Sequence, residues 1–292
     1  MNVYEHGSIP WQNNTAPHVL FDNSLANTLV GVCSALSIAG SMFVFCTWFR
    51  FKKLQYFSRK LVVFVSVADF ASSLSLFFGT FVRIYEDNHR PSKWCFVQGM
   101  MVQFFSLASI MWTGCFAFYM NQTLINNSRS RCEFGFHLVA WGVPAATCVY
   151  LGLGQYYGTN IFNRTNQAWC WIDNAPSERL RRDPALSFDQ YVLFYVPEVL
   201  IFVLNASFYS VLIRRIDGSS LGRQMSRRLS LYLCAFLVPA LPSFAHQVYR
   251  SCSNSQLPST AFILTESFFK PLQGFINALA YGMSKQIIER CF

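Results

Sequence analysis

Between residues 95 and 122 the chain contains no aspartate, glutamate, lysine or arginine. A helix needs about 20 apolar residues to cross the hydrocarbon core of a bilayer, so this run is long enough to do so. It is not a plain anchor, however. Gln98, Gln103, Ser106, Ser109, Thr113 and Asn121 are spread along it, with Gly99, Ala108 and Gly114 between them. Polar and small side chains within a span face other helices rather than lipid. The run is therefore expected to be the central helix of a bundle.

Six more runs have the same character, over residues 25–49, 61–82, 134–153, 189–213, 229–249 and 260–283. The expected fold is an all-α membrane protein, a seven-transmembrane helix bundle over 25–283, with an outer tail at 1–24 and a short inner tail at 284–292. Composition agrees. Only 13% of residues are charged, against about 25% in a soluble domain. The net charge of +9 lies in links between apolar runs, which points to the lipid bilayer as partner and away from nucleic acid. Residues 1–24 lack a basic start followed by an apolar core, so the first span is expected to act as its own targeting signal.

Lysine and arginine are retained on the cytoplasmic side. Links one, three and five and the last residues hold most of the cations, among them Lys52, Lys53, Arg129, Arg131, Arg214, Arg215, Arg227 and Arg228. The other side carries acids that offset its cations. The N-terminus is thus expected outside and the C-terminus inside. Two glycosylation triplets, at Asn13 and Asn163, then fall on the outer side. Cys95 opens the third span there, and Cys170 lies in the long outer link 154–188; an oxidising exterior favours a bridge between them. Cys252 is also outer, with no partner assigned. Trp169 and Trp171 flank Cys170 and are candidates to line an outer pocket.

Ionisable groups within spans are costly and mark function by default. Asp69 lies about 12 Å inside its helix at 1.5 Å per residue, level with Asn277 on the last span. The two are read either as a polar switch, with or without a bound cation, or as a structural bond between helices. Glu266 and Lys270 are four residues apart, on one helix face; either they neutralise each other or one meets a charged ligand group. Glu198, beside Pro197, is a further candidate for that pocket. Pro144, Pro239, Pro242 and Pro271 are expected to kink their spans. His137 and His246 are isolated in their spans and are read as packing or hydrogen-bonding residues rather than metal ligands. No nucleophile elbow, zinc-protease or phosphate-loop motif occurs, so no enzyme, metal or cofactor is expected.

Several of these pieces together resemble the cyclic-AMP-receptor-like group of G-protein-coupled receptors, known from slime moulds and with vertebrate orphan relatives. The pieces are Phe64 to Asp69, Cys95 with Gln98-Gly99, Trp112-Thr113, His137 through Trp141-Gly142-Val143-Pro144, Trp169 to Asp173, and Gln273 to Asn277. The resemblance implies a receptor in the plasma membrane that couples an extracellular ligand to a heterotrimeric G protein, with the outer cysteines bridged. The basic inner residues Arg214, Arg215, Arg227 and Arg228 would face that partner. It does not imply cyclic AMP as the ligand. An Asp-Arg-Tyr motif at the inner end of span three is missing; Tyr119 to Gln122 stands there. Two other readings are a retinal protein using Lys270 and a small-solute transporter. Against the first, span three has no carboxylate to act as counter-ion. Against the second, no internal repeat is evident.

Overall fold

The computed structural model describes residues 23–52, 55, 57–81, 93–125, 133–154, 157–158, 169–172, 188–216, 220–252 and 260–282. Nearly all of them are helical. The elements are α1 (Asn23–Arg50), α2 (Phe57–Gly79), α3 (Lys93–Ile125), α4 (Glu133–Leu153), β1 (Tyr157–Gly158), β2 (Trp171–Ile172), α5 (Phe188–Gln190), a π-helical turn (Tyr191–Tyr195), α6 (Val196–Ile216), α7 (Ser220–Cys252), α8 (Thr260–Phe269) and α9 (Gln273–Gly282). Among the described residues, six helical segments are long and apolar enough to cross a membrane, and α8 is a shorter apolar one.

The helices are built inside out. On α6, Val196, Val199, Leu200, Val203, Leu204 and Val211 are exposed, while Glu198, Asn205, Tyr209 and Leu212 are buried. Both sets follow the three-and-four spacing of one helix face, but the apolar stripe is the outer one. α1 repeats this, with Ser34, Ser37 and Ser41 buried and Val32, Leu36, Met42 and Phe43 exposed. An apolar exterior suits lipid, where helices associate through close packing and polar contacts rather than by hiding oily faces. As expected, the third helix is central: 72% of its apolar stretch is buried, and at most 44% of any other span. It packs on α2, α4, α6 and both strands.

Several boundaries differ from the sequence expectation. α7 starts at Ser220, so part of the basic fifth link is helix. Pro144, Pro239 and Pro242 lie within unbroken helices. Pro271 alone coincides with a break, because α8 ends at Phe269 and α9 begins at Gln273. A proline cannot donate to the turn before it, but here a neighbour also enters the gap. The Ser37 hydroxyl donates to the Pro271 carbonyl at 2.6 Å and accepts from the Phe275 amide at 3.1 Å. Those two backbone groups are four residues apart and would otherwise bond each other. An inserted side chain is a recognised cause of such breaks.

The fifth segment shows a related repair. Pro197 cannot donate to the carbonyl of Leu193, four residues earlier. The chain widens into the π turn, with the Val196 amide bonded to Tyr191 O, and the Gln103 side-chain amide of α3 donates to Leu193 O at 3.4 Å.

Candidate functional site

One end of the bundle is roofed by its own chain. Cys170 is disulfide-bonded to Cys95, and β2 pairs antiparallel with β1. The segment Trp169 to Ile172 is buried throughout. It is held by side-chain amides, since a short strand cannot satisfy its own backbone. Gln98 accepts from the Cys170 amide at 3.2 Å, and Gln190 donates to Ile172 O at 2.8 Å. Gln103 accepts from the Trp171 indole at 2.8 Å. Gln247 of α7 donates to Gln190 at 3.2 Å, which ties α7 to the roof. Gly79 is needed here, because the Gln98 amide occupies the space a Cβ at that position would take.

Beneath the roof lie the charged candidates. Phe194, on the π turn, packs edge-on against Trp171 with ring centroids 5.0 Å apart. The Lys270 ammonium stands 4.5 Å from the Phe194 ring centroid, a cation–π contact. Glu266 does not pair with Lys270. It pairs with His246 of α7, Nδ1 to Oε2, at 2.8 Å, so His246 hydrogen-bonds, one of the two roles read from the sequence. Among the described residues no carboxylate comes within ion-pair distance of Lys270. Glu198 is only 6% exposed and has no hydrogen bond among the described residues, yet it lies within electrostatic reach of Lys270. The cluster therefore joins the fifth segment, α7 and α8 through charge that is only partly matched.

Midway along the bundle a second polar cluster is complete. Asp69 accepts from Ser109 at 2.6 Å and from Asn277 at 2.7 Å, one donor on each carboxylate oxygen. The contact to Asn277 is the one its depth in the sequence suggested. Gln273 reaches Ser109 at 3.5 Å. Gly274 lets α9 close on this cluster: a Cβ there would lie 3.1 Å from Asp69 Cβ and 3.2 Å from Ser37 Cβ.

Four of the residues that carry the sequence resemblance meet in space. Phe64 stacks on Trp112 at 4.5 Å, and His137 and Trp141 approach Trp112 at 5.0 and 5.8 Å. These side chains come from α2, α3 and α4 and form one aromatic seam. A family profile described as slime mold cyclic AMP receptor matches residues 17–281. The chain belongs to this family. Similar proteins include cyclic AMP receptor-like protein A of Dictyostelium discoideum, 26% identical over 89% of this chain and 65% of the relative. Human G-protein coupled receptor 157 is 31% identical over 48% of this chain and 41% of its own length. G-protein coupled receptor 1 of Arabidopsis thaliana is 30% identical over 51% and 42%. The matched region thus spans under two thirds of these relatives.

Not every sequence candidate falls within the structure. Asn13 and Asn163 lie outside the described residues. Arg214 and Arg215 end α6 and are exposed. Arg227, Arg228 and Cys252 lie in α7, and their side chains are outside the described set. Sequence reasoning missed Phe194, Gln190 and Gln247, and the identity of the acid that His246 bonds; it placed Gln98 and Gln103 on inner faces without their partners. The signal available for Gln103 was its place in a charge-free run beside a proline-bearing span.

Proposed function

We propose that this protein is a G-protein-coupled receptor that converts binding of an extracellular ligand into nucleotide exchange on a heterotrimeric G protein. The proposal takes the chain as crossing the plasma membrane seven times, α8 and α9 together forming the last crossing, with the N-terminus outside. Residues 1–24 are then the extracellular tail, 25–283 the receptor and 284–292 a cytoplasmic tail. Asn13 and Asn163 are the expected glycan sites. Family membership supports a receptor rather than an enzyme. The observation that carries the signalling step is the partly matched charge cluster of Glu198, Lys270, Glu266 and His246. It sits under the disulfide-bound roof and is shared by three segments, so a ligand there biases their arrangement. It can do so only through different affinities for the two states.

Asp69 and Asn277 serve in this reading as the polar switch below the pocket. Arg214, Arg215, Arg227 and Arg228 face the G protein. Trp169 and Trp171 shape the roof, with Trp171 reaching the pocket through Phe194. The test is reconstitution of the full chain with a panel of G proteins and measurement of nucleotide exchange. Exchange above the receptor-free rate with at least one member is expected; none with any member overturns the reading. One observation favours the retinal alternative, since Glu198 supplies a carboxylate near Lys270 that span three lacks. A visible absorbance band after purification with retinal would establish it in place of the soluble-ligand reading.

A further inference from the structure

We propose that the roof segment Trp169 to Ile172 is an autoinhibitory strap, which locks the outer end of α7 to the fifth segment and so holds the receptor in its non-signalling arrangement. The inference rests on the receptor reading, since a resting arrangement has meaning only where a signalling one exists. Gln190 joins strap and helix. Its side-chain nitrogen donates to Ile172 O at 2.8 Å, and its side-chain oxygen accepts from the Gln247 amide at 3.2 Å. Gln247 is gripped a second time, because the Tyr191 hydroxyl donates to its main-chain carbonyl at 3.1 Å. The residue before it, His246, bonds Glu266 of α8 at 2.8 Å. Consecutive residues on a helix point about 100° apart, so α7 is fastened to the fifth segment on one side and to α8 on another. Gln190, His246 and Gln247 are all buried, where the low local dielectric strengthens such bonds.

The same strap reaches α3 and the fifth segment without α7. Gln98 accepts from the Cys170 amide and Gln103 from the Trp171 indole. The Trp171 ring packs edge-on to Phe194 and Tyr195 at 5.0 and 6.0 Å. A shift of α7 against α3 or the fifth segment therefore breaks a bond to the strap or to the glutamine pair. Rings farther down the bundle show which arrangement is held. Phe116 of α3, Tyr232 of α7 and Tyr281 of α9 meet at centroid separations of 4.7 to 6.0 Å, and Tyr209 of α6 is buried in the cluster against which Tyr232 packs. An inner half closed by its own rings leaves a partner no way between these helices, so the arrangement is the resting one. Between the two clamps α7 carries Pro239 and Pro242, which leave the carbonyls of Ala235 and Val238 without their helical donors. Release of the outer clamp frees α7 to tilt about this weak stretch and to draw Tyr232 from its neighbours.

The experiment compares the full chain with Gln247→Leu in lipid nanodiscs, by amide hydrogen exchange without G protein and by ligand-free nucleotide exchange with the G-protein panel. The substitution keeps the bulk of the side chain and removes its bond to Gln190. Hydrogen exchange of residues 230–238, at least about 13 Å along α7 from the change, is expected to quicken about fivefold, and ligand-free nucleotide exchange to rise by a similar factor. That is the scale of one neutral hydrogen bond of about 1 kcal/mol. Tyr191→Phe removes one hydroxyl and should move both readouts the same way by less; it decides should Gln247→Leu fail to fold. Unchanged hydrogen exchange at 230–238 overturns the strap, because the roof is then a lid with no hold on α7. So does unchanged or lower nucleotide exchange in the variant where the parent is active, and this leaves the receptor reading intact. No nucleotide exchange from either chain with any G protein overturns the receptor reading, and the inhibitory role with it.

Discussion

Around Asp69 each carboxylate oxygen has a donor, and Gly274 brings α9 close enough to seal the cluster. Around Lys270 the pairing is unfinished: Glu266 has turned to His246, the ammonium rests on a ring, and Glu198 has no hydrogen bond among the described residues. Both clusters are buried in one bundle and are joined electrostatically, since the field of Lys270 also reaches Asp69. The difference separates a polar group that holds helices together from one that is held ready. A satisfied network rigidifies, while an unsatisfied one keeps a free-energy debt that a ligand can cancel.

Five variants bear on this contrast. The largest effect is expected from removing the roof over the unfinished cluster. Cys95→Ala with Cys170→Ala opens a loop of sequence separation 75 and should cost about 3 kcal/mol, read as a lower unfolding temperature in detergent. Next is Asp69→Ala, which orphans Ser109 and Asn277 and should cost about 2 kcal/mol. Asp69→Asn should lose at most half of that in the same melt. Gly274→Ala comes third, at about 1 kcal/mol, because the added methyl meets Asp69, Ser37 and Ser41 at overpacking distance. The smallest change belongs to Lys270→Gln, expected at under about 1 kcal/mol because the desolvation cost of the ammonium is lost along with its contact to Phe194, while ligand-driven exchange is lost. If Lys270→Gln melted as early as Asp69→Ala, the two clusters would be alike and the contrast would fail.

Much of the bundle was readable in the sequence because lipid imposes a one-dimensional rule. Runs without charge mark spans, and polar residues within them mark inner faces, as Ser37, Gln103 and Glu198 do. Depth along a helix is likewise one-dimensional, which is why Asp69 and Asn277 could be matched. Rotation about the axis relative to a neighbour is not. Glu266 and Lys270 share a face as their spacing required, but the partner of Glu266 came from α7, and nothing in the spacing of either helix names His246. The repairs were hidden for the same reason. Pro271 and Pro197 announce missing donors, but which distant side chain supplies the bond depends on how α1 and α3 lie against them. The buried roof was hidden differently: its sequence reads as a polar link, and its burial comes from glutamines on other elements.

Gln103 grips the roof with one atom and the spine of the fifth segment with the other: its carbonyl holds the Trp171 indole and its amide nitrogen holds Leu193 O. A single planar group cannot follow two departing partners, so tilting the lid and rewinding the widened turn become one motion. In the proposed receptor, a ligand that displaced Trp171 would thereby pull on the peptide beside Phe194, a mechanical link rather than an electrostatic one.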